Sequence, residues 1–164
     1  MEQNKRVRGL LTDKRMRRKF KPNKKVRNAT TKVYKGIKFR SKLELFTYMK
    51  LEDAGIKALY EKRKFTLMEG FRYEQQSIEP SNKKATKGEF INNTDKVRDI
   101  TYTPDFVDPN GRWVIEVKGF ANDVFPLKWK LFKHMLHHHP DPPILYLPKN
   151  QKQVLETIEL IKEL

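Results

Sequence analysis

Along SKLELFTYMKLEDAG, residues 41–55, apolar positions recur at helical spacing and both ends carry helix punctuation. Ser41 is an N-cap residue, Glu44 stands at the N3 position of a capping box, and Gly55 is a C-terminal stop. Upstream, KVYKGIKF alternates and predicts a short strand pair turning at Gly36. Downstream, ALYEKRKFTLM, residues 58–68, reads as one strand with Tyr60, Phe65 and Leu67 supplying bulk. Alternation resumes from about 99 to 118 and predicts a β-hairpin. Its Asp108-Pro109-Asn110-Gly111 corner has type I turn chemistry at all four positions. Pro126 suits the first turn of a helix running to about His138, with Leu127, Leu131, Phe132, Met135 and Leu136 as its buried face. ILYL follows as a short buried strand. Asn150 then caps a last helix with Val154, Leu155, Ile158, Ile161 and Leu164 as its apolar stripe. This order predicts an α/β sandwich, a mixed sheet flanked by helices.

Two polar stretches interrupt the pattern. Residues 70–98 are too long for a plain loop and predict a mobile insertion, a candidate functional one. Residues 1–31 are basic and poor in apolar side chains, which predicts an arm disordered until bound, with a short helix near residues 10–20. Residues 1–42 hold 17 of the 36 Lys and Arg but only two acids, Glu2 and Asp13. The remaining chain is almost neutral, so residues 32–164 read as one domain carrying a polycationic arm. Arms of this kind bind nucleic acid or anionic membrane. A membrane role wants a broad apolar face, and GLLTDKRMRRKF offers a thin stripe; no apolar run approaches a transmembrane length. Nucleic acid is the favoured partner, with Arg15, Arg17, Arg18, Lys19, Lys24, Lys25 and Arg40 as phosphate contacts, and Lys128 and Lys130 further along. The chain has no cysteine, which excludes disulfides, thiolate chemistry and a cysteine-based zinc site. A cytoplasmic protein fits this composition.

The chemistry is concentrated in the predicted hairpin, YTPDFVDPNGRWVIEVKGF. Strand alternation puts Trp113, Ile115 and Val117 on one face, toward the core, and Val114, Glu116 and Lys118 on the other, pointing away from it. A regular hairpin delivers Asp105 to the same end. Two adjacent carboxylates repel and require a proton or a cation. Oxygen donors without cysteine or paired histidine favour a hard ion such as Mg²⁺, with Mn²⁺ expected to substitute. Such an ion polarises phosphate, and Lys118 can orient water or meet developing charge. His134, His137, His138 and His139 sit at a helix C-terminus, where the helix dipole favours imidazolium, and are read that way rather than as ligands.

The order Glu44, Pro104-Asp105, Glu116-Val117-Lys118 resembles the PD-(D/E)xK nuclease superfamily, whose core is a mixed sheet flanked by helices. FRSKLE, GIKALYE, YTPDFVDPNG and VIEVKG look like the phage endonuclease I family of Holliday-junction resolvases. KFTLMEGF, YTPDF, VKGF and DVFPLKWKLFK resemble an uncharacterised family of phage-encoded nucleases. These similarities cover roughly residues 37–140. The resemblance implies that Asp105 and Glu116 bind the metal with the Val117 carbonyl, that Lys118 assists the attacking water, and that Glu44 completes the site. For Glu44 the capping box is a competing, metal-free explanation. The resemblance further implies metal-dependent hydrolysis of branched DNA by a homodimer, leaving a 5′-phosphate and a 3′-hydroxyl, in the cytoplasm of a phage's bacterial host. A sequence-specific homing, restriction or transposition nuclease and a catalytically inactive DNA-binding protein are the alternatives.

Overall fold

The computed structural model describes residues 31–119 and 124–164. The proposed arm contacts Arg15, Arg17, Arg18, Lys19, Lys24 and Lys25 lie outside the described residues. The described chain is mixed α/β, with three helices around a mixed sheet, as the hydrophobic pattern predicts.

Strands β1 (Lys32–Tyr34) and β2 (Ile37–Phe39) pair antiparallel around Lys35 and Gly36, both at positive φ, the backbone a tight two-residue hairpin needs. Helix α1 spans Lys42–Asp53, and Ser41 Oγ accepts the Glu44 N–H as expected of its cap. The reciprocal bond of the capping box is displaced by one residue. Glu44 Oε2 accepts the Arg40 N–H at 2.9 Å, not that of Ser41.

The expected strand at 58–68 is two strands. β3 (Leu59–Tyr60) and β4 (Phe65–Met68) are separated by a bend at Glu61, which takes φ +47°. β7 (Ile100–Tyr102) is likewise separated from β8 (Phe106–Val107) by Thr103–Asp105. β3 pairs with β8 and β4 with β7, both antiparallel, so two strands bend together and change partners at matching points. Pro104 sits in the second bend, where its missing N–H breaks the ladder. The predicted 99–118 hairpin is therefore shorter. It consists of β8 and β9 (Trp113–Ile115), closed by the type I corner with Gly111 N–H donating to Asp108 O.

The insertion is not a bare loop. It carries its own antiparallel ribbon, β5 (Ile78–Pro80) with β6 (Phe90–Asn92), which periodicity missed because neither strand has a buried face. Helix α2 (Phe125–His137), strand β10 (Ile144–Tyr146) and helix α3 (Gln151–Lys162) complete the chain. The main sheet runs β10-β9-β8-β3, with β10 parallel to β9 and the other pairs antiparallel.

Both faces of this sheet are covered. Trp113, Ile115 and Val117 pack with Leu51 of α1 and Val154, Ile158 and Ile161 of α3. Val114 and Val107 pack on the other side with Phe125, Trp129, Phe132 and Leu136 of α2. The face expected to point away from the core is thus closed by α2. Trp113, Val114 and Ile115 are all fully buried, the continuous apolar run of a strand sandwiched between layers. Helix phases shift accordingly: Phe125 and Trp129 replace the expected Leu127, which is exposed, and Leu155 and Leu164 also face out while Thr157 is buried. Ile144 is 44% exposed because β10 is an edge strand. Among the described residues no helix is long and apolar enough to cross a membrane.

Candidate active site

The pairing register of β8 and β9 builds the site. Phe106 stands opposite Ile115 and Val107 opposite Val114. Asp108 N–H bonds Trp113 O across the next pair, so bonded and non-bonded pairs alternate from that end. Continued past the strands, Asp105 falls opposite Glu116 in a non-bonded pair, the kind that brings side chains closest. Pro104 falls opposite Val117 where two backbone bonds belong. Pro104 has no N–H to offer Val117, and the Val117 N–H goes to Asp105 Oδ2 at 2.7 Å instead. The ladder opens at this pair, and no described residue directs a donor at the Val117 carbonyl.

Every acidic member of the site is buried. Asp105 is 7% exposed, Glu116 3% and Glu44 7%. Tyr102 Oη donates to Glu116 Oε2 at 2.7 Å and the Asp105 N–H approaches it at 3.3 Å. Lys118 Nζ lies 2.7 Å from Glu116 Oε1 and 4.8 Å from the centroid of the Phe125 ring. Tyr60 Oη donates to Glu44 Oε2 at 2.7 Å. The bend that splits β3 from β4 is pinned to the same place, because the Glu61 N–H donates to Asp105 O at 2.9 Å.

Among the described residues one ammonium, that of Lys118, stands against these three buried carboxylates, and it pairs with Glu116. Unit charges about 4 Å apart interact by about 4 kcal/mol at an effective dielectric near 20, so a single ion pair cannot offset the repulsions and the desolvation together. The strain appears at Asp105. Burial first, then the charges of Glu116 and Glu44, hold its carboxyl well above the usual carboxylate range, against the weaker opposing pull of the Val117 N–H and Lys118. Tyr60 and Tyr102 are pushed up by burial and by their carboxylate partners, so both remain phenols that donate.

The donor set suits a hard divalent cation. Asp105 Oδ1 and Glu44 Oε1 have no hydrogen-bond donor among the described residues, while their sister oxygens are tethered. With the Val117 carbonyl these are oxygen donors only, the donor type that Mg²⁺ prefers. They are not a finished cage: among the described residues no three His, Asp or Glu side chains gather closely enough to hold an ion by themselves.

The structure brings together Glu44, Asp105, Glu116 and Lys118, and gives some of the other expected residues partners within the fold. Arg40 is paired with Glu61 at 2.9 Å. Lys128 Nζ donates to Thr101 O at 2.9 Å, tying α2 to β7. Lys130 remains exposed, beside Lys118, Phe125, Trp129 and Lys133 in a shared cavity of about 450 Å³. His134 and His137 lie in the last turn of α2. Tyr60 and Tyr102 were not foreseen as site residues. Their only sequence signal is their place inside GIKALYE and YTPDF, since their roles depend on long-range pairing.

A family model described as "Protein of unknown function (DUF1064)" matches residues 23–141. The chain belongs to the DUF1064 family. The DUF1064 match includes α1, β3 to β9 and α2, and so contains Glu44, Asp105, Glu116 and Lys118. No curated protein and no solved structure matches the chain.

Proposed function

We propose that this protein is a Mg²⁺-dependent endodeoxyribonuclease of the PD-(D/E)xK kind, selective for branched DNA such as a Holliday junction. The observation that carries the reading is the buried Asp105–Glu116 pair, opened at Pro104–Val117 and met, among the described residues, by one lysine. A structural ion pair has no use for a surplus of buried carboxylates; a site that receives a cation and a phosphate does.

Asp105 and Glu116 would hold the ion, with the Val117 carbonyl and the untethered oxygen of Glu44 completing its protein ligands. A divalent ion so held supplies phosphate polarisation and a more acidic water. Tyr102 and Tyr60 keep the two glutamates oriented by donating to one oxygen of each. Lys118, 27% exposed at its side chain, holds its ammonium at the rim, where it can orient the attacking water or meet charge developing on the phosphate. The cationic N-terminal segment supplies affinity for the DNA backbone. By the same resemblance we propose a homodimer, two sites cutting opposed strands, working in the cytoplasm of a bacterial host.

The test is incubation of the purified protein with a four-way junction and its matched linear duplex, in Mg²⁺ and in EDTA. Cleavage of the junction in Mg²⁺, abolished by EDTA and by Lys118→Ala with junction binding retained, is the expected result. Equal cutting of both substrates would reject branch selectivity alone. Absence of cutting with any divalent metal would leave a DNA-binding protein.

A further inference from the structure

The 70–98 ribbon serves neither the core nor the carboxylate site. β5 and β6 pair with each other and, among the described residues, with no third strand. From Ile78 to Asn92 only Ser81 is buried, inside the ribbon's own loop. The register puts Ile78, Pro80, Phe90 and Asn92 on one face. That face is open to solvent, with Phe90 72% and Ile78 57% exposed. A lone two-stranded ribbon with apolar groups in water is marginal by itself, and this is the exposure a partner would relieve.

The charge around this face identifies the partner. The loop beyond it carries Lys83, Lys84 and Lys87 against one acid, Glu89. Lys84 and Lys87 have no acidic partner among the described residues, and Lys83 reaches Asp95 only at 4.0 Å. The loop is held in shape: Ser81 N–H donates to Glu89 O, Gly88 N–H to Ser81 O, and the Ser81 and Thr86 hydroxyls meet at 2.7 Å. At the root of the arm Lys64, Lys96 and Arg98 line a concavity of about 320 Å³ with Asp99 and Thr101; Asp99 Oδ1 accepts the Gly70 N–H, and none of the three cations forms an ion pair among the described residues. Cations thus stand at both ends of an arm whose middle offers an exposed aromatic ring. DNA presents the same sequence of chemistry, phosphates flanking stacked bases.

We propose that the 70–98 ribbon is a DNA-reading arm: Phe90, supported by Ile78, enters an open base step at a branch while Lys83, Lys84 and Lys87 contact the flanking phosphates. The inference rests on the nuclease reading for its choice of branched DNA. An unstacked step at a branch accepts an apolar side chain at low cost, whereas a continuous duplex must first be unstacked. The arm therefore supplies branch selectivity and the carboxylate site supplies cutting.

The test measures binding in EDTA, where cutting plays no part. A four-way junction with 2-aminopurine at its branch and a matched linear duplex are titrated with the wild type, Phe90→Ala and Lys84→Ala/Lys87→Ala. Phe90 is largely in water, so its substitution leaves the fold intact. The wild type should change the branch fluorescence. Phe90→Ala should lose that change and about tenfold in junction affinity, the scale of one lost base–aromatic contact, while linear-duplex affinity holds. The lysine pair should lower the salt slope by about two. Unaltered fluorescence and affinity in Phe90→Ala would overturn the proposal. So would a wild-type dimer, seen by sedimentation, that Phe90→Ala converts to a monomer, since a second copy would then cover the face. If the arm behaves as expected but the wild type cuts nothing in Mg²⁺, the nuclease reading fails and the arm stands.

Discussion

Asp105 is buried beside Glu116 and feels Glu44, and these causes raise its carboxyl above its ordinary value of 3.8. An acid whose pKa is raised on folding holds protons more tightly in the folded state. Its contribution to stability is present below 3.8 and is lost as pH climbs through the raised value. Once Asp105 is ionised, the metal-free protein carries an electrostatic cost that a bound cation would relieve. Asp105→Asn should leave metal-free thermal stability equal or higher, because the amide oxygen can still accept the Val117 N–H while the repulsion disappears. The same variant should lose the Mg²⁺-dependent rise in Tm expected of the wild type, and that rise should shrink as pH falls toward 4, where protons compete with the ion. Thermal denaturation across pH and Mg²⁺ checks both; a full Mg²⁺ shift in Asp105→Asn would remove Asp105 from the ligand set. Tyr102→Phe leaves a buried carboxylate oxygen short of a donor and should cost about 1–3 kcal/mol in unfolding free energy, with a loss of cleavage beyond the loss of stability.

At the scale of elements, two caps of equal chemistry separate function from folding. Ser41 caps α1 and Asn150 caps α3, each accepting the N–H three residues on. Replacement of either by Ala should cost about 1 kcal/mol, measured by denaturant unfolding. Only Ser41→Ala should also reduce cleavage, because Glu44 rides on the first turn of α1; equal activity in the two variants would argue that Glu44 is a cap partner alone. The caps, the Asp108–Gly111 corner and the adjacency of Asp105 and Glu116 were legible in the sequence because turn and cap chemistry is local. The burial of the site was not. Alternation in RWVIEVK separates two faces but cannot say whether a helix lies over the second, and α2 arrives from beyond Gly119 to cover it. The bends at Glu61 and Pro104 escaped for a related reason, since both depend on an exchange of partner strands.

The whole molecule divides its charge unevenly, with a net of +16 that resides almost entirely in residues 1–42. Each phosphate neutralised by such a segment contributes about −0.9 to the slope of log affinity against log salt. Deletion of residues 1–31 should weaken binding to all DNA and flatten that slope, with junction preference preserved if preference comes from the folded domain. A salt titration of wild type and deletion on both substrates reads the two effects separately; loss of preference on deletion would move branch recognition to the N-terminal segment. The expectations about cleavage and metal depend on one claim, that the surplus carboxylates at Asp105, Glu116 and Glu44 exist to receive a hard cation. Isothermal titration calorimetry of Mg²⁺ into the DNA-free protein tests it most directly. Saturable binding to the wild type, accompanied by proton release near the pKa of Asp105, is expected, and none to Asp105→Asn. Saturable binding of the same strength to both proteins would contradict it.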